Sequence, residues 1–339
     1  MDICGIPFNQ LILHPFEGTL AYVACCASRN RYPYDKYRFK VPDNGEVFDI
    51  KKVWNSKELI EFRRSILDGS YKYCDEKVCP FLSSKKFEKA TEKALQNIQE
   101  KDPYLKYFPP EIAANIDSSC NLCCPSCRSK PDRKPDHRTY HRFIEILKSG
   151  VESVSFNSSG ELFFNRHFLK IMREFSSKDF PALKNFRVIT NGTLLNRTMW
   201  FSLSDDFKKC LSDIDVSVDT FSEETYKIIR PGSSFKNLQK NVKIISEIRE
   251  SGEINNFNLR FVLQKKNHKE LVEIVKRTIE LKPDSIVIQT VCNWHNYSVS
   301  FFEKELKLPD NYKDIYAEDI QIAKKMIQDS GIKLVSDIL

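Results

Sequence analysis

The chain of 339 residues, 41% hydrophobic and 29% charged, has the composition of a folded globular protein and the length for one large domain with a smaller module. Its longest apolar runs fall short of the about 18–20 residues that cross a bilayer, and the start MDICGIPFNQ has no basic segment ahead of an apolar one. A membrane span and an export signal are therefore not expected, and the chain is expected in the cytoplasm. The net charge of +7 is spread over pairs such as Lys51-Lys52, Lys85-Lys86 and Lys265-Lys266 that read as solvated surface. No RNP, zinc-finger or helix-turn-helix pattern accompanies it, so a nucleic-acid partner is not expected, whereas an acidic peptide or a phosphorylated metabolite suits a basic surface.

In chain order, the first segment, 1–82, reads as a small module. It carries Cys4, Cys25, Cys26, Cys74 and Cys79, short strands at 10–14 and 20–24, and a helix over 56–67. With no export signal the thiols are expected to stay reduced, so metal binding explains eleven cysteines better than disulfides do. Cys4, Cys25, Cys74 and Cys79 are the four candidates, with Cys26 an alternative to Cys25. Four thiolates close a 4Fe–4S cluster that relays electrons or staples structure, and a four-cysteine zinc knuckle is the other reading. The Lys- and Glu-rich stretch 83–107 reads as a helical linker, and Pro109-Pro110 marks the boundary to a domain over 108–339.

From residue 112 onward β-rich runs alternate with amphipathic segments, six β-then-α units in all. Strands are expected at 112–117, 153–157, 185–190, 214–217, 258–263 and 285–289, and helices near 138–148, 166–175, 196–203, 236–250, 268–281 and 317–329. Such a repeat can close as an eight-unit barrel, stop as a six-unit partial barrel, or lie open as a doubly wound sheet. In each, ligands sit at the carboxyl ends of the strands. The unusual residues fall there: the cysteines after the first strand, Ser159-Gly160-Glu161 after the second, Asn191-Gly192 after the third and Asp219 after the fourth.

Residues 120–127 read Cys-Asn-Leu-Cys-Cys-Pro-Ser-Cys, placing Cys120, Cys124 and Cys127 in the order C-x3-C-x2-C within a loop. Three thiolates hold three irons of a 4Fe–4S cluster and leave the fourth open to an exogenous ligand. Structural zinc wants four closed ligands and no second C-x2-C pair lies nearby; that site and a chance cluster of buried cysteines are the alternatives. Taken singly, Gly160 is a loop glycine, Asn191-Gly192 a turn and Asp219 a helix cap.

Together these motifs resemble the radical S-adenosylmethionine (radical SAM) superfamily over about residues 112–290. The resemblance is carried by Ile116-Asp117-Ser118-Ser119 before the cysteines, Ser159-Gly160-Glu161 as a version of a Gly-Gly-Glu motif, and Thr190-Asn191-Gly192. It is also carried by Val216-Ser217-Val218-Asp219 and Ile229-Arg230-Pro231-Gly232. It implies a six-unit partial barrel and a 4Fe–4S cluster on Cys120, Cys124 and Cys127 that chelates SAM. It also implies that Ser159, Gly160 and Glu161 receive the SAM amino group, Ser217 and Arg230 its carboxylate, and Asp219 or Asn191 its ribose. Two departures stand out: Ser126 replaces an aromatic that the family often has before the third cysteine, and Cys123 adds a fourth thiol, the spacing favouring Cys124 as ligand.

The amino-terminal module resembles the SPASM or shorter twitch extension that holds auxiliary clusters. The matching features are the hairpin 18–25, Val53-Trp54-Asn55-Ser56, the Arg63-Arg64 helix, and Cys74 with Cys79-Pro80. In that family the extension usually follows the barrel; here it precedes it. The resemblance implies reductive cleavage of SAM to a 5′-deoxyadenosyl radical that removes a hydrogen from a peptide or protein, with a flavodoxin or ferredoxin as reductant. A sugar or other small metabolite is the alternative substrate, RNA modification a third, and a non-catalytic iron–sulfur or zinc scaffold the reading without chemistry. No catalytic residue beyond the cluster is assigned. Cys210 and Cys292 read as buried apolar residues, His137 and His141 as solvated or capping, and Trp294 and His295 as core or mouth residues.

Overall fold

The computed structural model describes residues 3–16, 19–23, 25, 50–74, 79, 81–82, 85, 87, 89–115, 117–134, 141, 144, 147–156, 160–293, 297–336 and 339. The chain divides into two compact units. The first comprises 1–118, 136–158 and 176–186, and the second 119–135, 159–175 and 187–339. Among the described residues no helix is long and apolar enough to cross a membrane.

In the first unit β1 (Gln10–Phe16) turns back into β2 (Thr19–Val23), an antiparallel hairpin with Ile12 opposite Val23. Its other edge pairs in parallel with β3 (Glu111–Ala114), Leu11 beside Ile112 and Leu13 beside Ala114, and β3 pairs in parallel with β4 (Ser153–Phe156). Leu11, Ile12, Leu13, Ile112, Ala113 and Ala114 are all buried, the unbroken apolar run of strands covered on both faces. The hairpin therefore shares a sheet with the first expected barrel strand, and positions 82 and 108 both fall inside this unit.

Helix α1 (Lys57–Leu67) starts where Ser56 Oγ accepts the Leu59 N–H, and it buries Leu59, Phe62 and Ile66. Arg63 on the same face is wholly buried. It donates to the carbonyls of Pro7 (2.9 Å), Pro103 (3.1 Å) and Trp54 (2.7 Å), and lies 4.2 Å from the Trp54 ring centroid. Burial pushes its guanidinium down to about 9. The expected linker helix is α2 (Glu92–Gln99), burying Ala94 and Ile98.

In the second unit β6 (Leu211–Ser217), β7 (Asn256–Leu263), β8 (Ser285–Thr290) and β9 (Lys333–Ser336) pair in parallel in that order. β5 (Asn185–Thr190) contributes its last four residues to this unit. Along β7, Phe257, Leu259, Phe261 and Leu263 are buried while Asn256, Arg260 and Val262 are half-exposed, so the strand carries one apolar and one polar face. Helices α3 (Arg166–Glu174), α4 (Arg197–Ser202), α5 (Asp205–Cys210), α6 (Glu223–Ile229), α7 (Phe235–Glu250), α8 (Leu271–Glu280) and α9 (Ala317–Ser330) connect the strands. Caps at Asn165, Asn196, Ser204, Ser222 and Ser234 set five of the starts. α7 buries Leu238, Val242, Ile245 and Ile248 at helical spacing.

All six expected strands are present as β3–β8, in a parallel α/β fold. The helix that Asp219 was read as capping is α6, and the Ser222 hydroxyl starts it. Elements beyond those expected include β9 and the short helix α5, which the Ser204 hydroxyl starts immediately beyond a loop.

Candidate functional site

The cysteine loop, 119–135, belongs wholly to the second unit and is closed by protein bonds. The Cys120 N–H donates to the Asp132 carbonyl at 2.7 Å, and the Cys127 and Arg128 N–H groups donate to the Cys124 carbonyl at 2.9 and 3.0 Å. That turn sets Cys127 beside Cys124. Cys120 is buried, whereas Cys123, Cys124 and Cys127 are half-buried.

The thiols face N–H donors. Cys120 Sγ accepts from the Leu122 N–H at 3.3 Å and from Asn191 Nδ2 at 3.8 Å, and Cys127 Sγ accepts from Arg128 Nη2 at 3.8 Å. Burial pushes the Cys124 thiol up to about 12, opposed by Arg230 and reinforced by Asp219, Cys127 and Cys120. Burial raises Cys120 as well. A metal ion bound there would have to displace the proton. Cys124 feels Cys120 and Cys127 as well as Arg230 and Asp219.

A polar network ties the loop to the carboxyl end of β5. Asn191 Nδ2 donates to Asn121 Oδ1 (2.9 Å), Asn121 Nδ2 to Thr193 Oγ1 (2.9 Å), and Thr193 Oγ1 to Asn191 Oδ1 (2.6 Å). Beneath it, Asn241 on α7 donates to the Gly192 and Thr193 carbonyls, both at 2.9 Å. Gly192 has φ +72°, and a Cβ there would lie 2.7 Å from Val216 Cγ1 and 2.9 Å from Leu238 Cδ1, so no other residue fits unstrained. Sequence reading missed Asn121, Thr193 and Asn241; Thr193, next to Gly192, was the nearest to discovery.

Of the residues expected to bind SAM, Glu161, Asn191, Asp219 and Arg230 are engaged with the protein. Glu161 is fully buried, with Oε1 accepting from Thr190 Oγ1 (2.7 Å) and the Phe163 N–H (3.2 Å) and Oε2 from the Asn191 N–H (2.7 Å). Burial raises this carboxyl, and the three donors oppose it. Its own N–H donates to the Ser119 carbonyl at 2.8 Å, fixing Glu161 next to the cysteine loop.

Asp219, in the left-handed region at φ 66°, accepts from Arg230 Nε (3.0 Å) and Nη2 (2.6 Å) through Oδ2 and from the Val262 N–H (2.9 Å) through Oδ1. Its carbonyl accepts from Asn267 Nδ2 at 2.8 Å. Burial, the largest influence, works to lower Arg230, but Asp219, Cys124 and Tyr226 together hold the guanidinium above its ordinary value. Ser217 ends β6 half-buried, and its hydroxyl makes no hydrogen bond to the described residues. Gly160 lies beside Glu161 in the same unit, while Ser159 lies outside the described residues, as do His137, Trp294 and His295.

Cys4, Cys25, Cys74 and Cys79 belong to the first unit and are all buried; Cys26 lies outside the described residues. Tyr71 feels Cys4, Cys74 and Cys79 and bonds the Cys4 backbone, and burial, the largest influence, raises its hydroxyl. The Leu82 N–H donates to Cys79 Sγ at 3.4 Å. Among the described residues no three His, Cys, Asp or Glu side chains are grouped to hold one metal ion. A cubane cluster instead spreads its thiolates over separate irons.

Residues 115–278 match the model of the radical SAM superfamily. The fold is similar to Streptococcus suis SuiB bound to precursor peptide SuiA, at 16% identity and TM-score 0.51, covering 99% of this chain and 72% of that one. The same protein bound to S-adenosylmethionine matches at 16% identity and TM-score 0.50, covering 96% and 72%. None of the curated proteins matches the chain.

Proposed function

Because residues 115–278 make the chain a member of the radical SAM superfamily, we propose that it holds a 4Fe–4S cluster on Cys120, Cys124 and Cys127 and uses SAM to activate a peptide substrate. The observation that carries the reading is the closed loop in which the Cys120 and Cys127 thiols accept from backbone and side-chain N–H donors and Cys124 feels the Arg230 charge. N–H groups and guanidinium charge are what three thiolates need around them. The donor set therefore fits the cluster.

When bound, the cluster with SAM supplies one-electron cleavage of the sulfur–C5′ bond, giving methionine and a 5′-deoxyadenosyl radical that abstracts hydrogen. The chain's own residues position and shield. Glu161 holds the turn after β5 through Thr190 and the Asn191 N–H, and Asn191 in turn holds Cys120 and Asn121. Asp219 and Arg230 act as a buried clamp beside Cys124 rather than as direct ligands, since each takes the other's charge. The Ser217 hydroxyl is left to meet the SAM carboxylate.

In the amino-terminal unit, Cys4, Cys25, Cys74 and Cys79 hold a second, auxiliary cluster, with the Leu82 N–H on Cys79 as its first N–H···S bond. A flavodoxin or ferredoxin serves as reductant. A peptide is favoured over a small metabolite because the fold is shared, over 99% of the chain, with a protein crystallised with its precursor peptide.

The test is anaerobic reconstitution with iron and sulfide, reduction, and quantification of 5′-deoxyadenosine against a Cys124→Ala control. Nucleoside formed only by the intact motif supports the reading. A fully loaded cluster that yields none under strong reductant removes it.

A further inference from the structure

On the polar face of the second unit's sheet a charged cluster lies apart from the cysteine loop. Asp215 on β6 is wholly buried. Arg187 Nη2 and Arg260 Nη1 both donate to its Oδ2 at 2.8 Å, and Asn258 Nδ2 donates to Oδ1 at 2.7 Å. The two guanidiniums keep 44% and 22% of their side-chain surface while the carboxylate keeps none. Arg260 also donates Nη2 to Gln289 Oε1 at 3.0 Å, and Gln289 is exposed.

A carboxylate buried in a sheet is costly unless its charge is met, and one arginine would meet it. Here two converge on a single oxygen, and both keep part of their side chain at the surface. Two guanidinium forks side by side form a receptor for a second carboxylate. Position supports this use. Arg260 stands opposite Ser217 in the β6–β7 register, and two residues further along β7 the Val262 N–H binds Asp219. A two-residue step along a strand is about 7 Å, so a group on Arg260 lies one such step from the clamp beside Cys124.

We infer that Arg187 and Arg260, gathered by Asp215, bind the carboxylate of an aspartate or glutamate side chain in the peptide substrate. The inference rests on the peptide reading above, and the net charge of +7 agrees with an acidic partner. Asp215 and Asn258 are positioning residues: they orient the two forks and touch no substrate.

The test uses the full chain, reconstituted anaerobically with SAM present, and a pool of randomised hexapeptides. Retained peptides are separated by size exclusion and their composition read by mass spectrometry. Peptides retained by the wild type are expected to be enriched in Asp and Glu over Asn and Gln. Arg187→Gln and Arg260→Gln should each lower that enrichment about tenfold, the order of one charge-assisted hydrogen bond. Lys325→Gln on α9, an exposed cation elsewhere, should keep it. Each single variant leaves one guanidinium on Asp215, and Arg260→Lys, which keeps the charge but not the fork, should fall between if Arg260→Gln does not fold.

Absence of acidic enrichment in the wild type, or enrichment indifferent to both glutamine variants, overturns the inference. So does loss of SAM in equilibrium dialysis of either variant with peptide selection unchanged, since the arginines would then serve the cofactor. Formation of 5′-deoxyadenosine by the wild type is read separately. Its absence refutes the radical reading whatever the peptide selection shows.

Discussion

Replacing Gly192 by alanine tests whether the turn after β5 is as tightly specified as its geometry implies. Holding a non-glycine residue at φ +72° costs about 1–2 kcal/mol. The new methyl would also meet Val216 Cγ1 at 2.7 Å and Leu238 Cδ1 at 2.9 Å, both on fully buried side chains, and overpacking of this kind costs about 1–3 kcal/mol. Gly192→Ala should therefore destabilise the chain by about 2–5 kcal/mol in urea titrations of the cluster-free protein. Val216→Ala removes one of the two clashes, so the double variant should be more stable than the sum of the single effects by about 1 kcal/mol. The turn also carries Asn191, which holds Cys120 and Asn121, so Gly192→Ala should reconstitute with less iron. A Gly192→Ala chain within about 0.5 kcal/mol of wild type, or strict additivity with Val216→Ala, would refute the reasoning.

Four further outcomes are expected. Alanine at Cys120, Cys124 or Cys127 should abolish the reconstituted cluster's absorbance and 5′-deoxyadenosine formation, while Cys123→Ala should preserve both. Asp219→Asn keeps a residue that tolerates φ 66° but leaves Arg230 buried without its counter-charge, so chemical denaturation should register a loss of about 3–5 kcal/mol. Arg63→Met strands three carbonyls in the first unit and should cost about 3 kcal/mol or more by the same measurement. Burial pushes Asp284 up, but Arg249 and the Phe257 N–H outweigh it and hold the carboxyl below its ordinary value. Its stabilisation is therefore present above the unfolded pKa of about 4 and lost as pH falls through the folded one. The stability gap between wild type and Asp284→Asn should narrow from pH 6 to pH 3, and a constant gap would count against this assignment.

The strands were legible because their periodicity is strong: 185–190 matches β5 residue for residue, and 153–157 and 285–289 differ from β4 and β8 by one. β9 was not, since Lys333–Ser336 is short and alternates between exposed and half-buried positions. The motif residues were found at strand ends, but their partners were not. Asp219 and Arg230 were read as meeting the ribose and the carboxylate of SAM, and α6 folds the chain back between them and brings them together as an ion pair that no motif announces. Glu161, read with Ser159 and Gly160 as meeting the SAM amino group, also holds Thr190 and Asn191. A linear motif records which residues occur at a site and is silent on which of them spend their charge on each other. Arg187, Asp215 and Arg260 carry no motif, and only the strand registers bring them to one face.

The bond from the Cys120 N–H to the Asp132 carbonyl is joined by the Asn121–Thr193 and Asn121–Asn191 bonds in shaping the cysteine loop. The last two link residues 72 and 70 positions apart, so the loop takes its shape only when the turn after β5 has been placed beside it. Such distant partners meet late, and the thiols come together as one of the last acts of folding rather than as the chain first emerges.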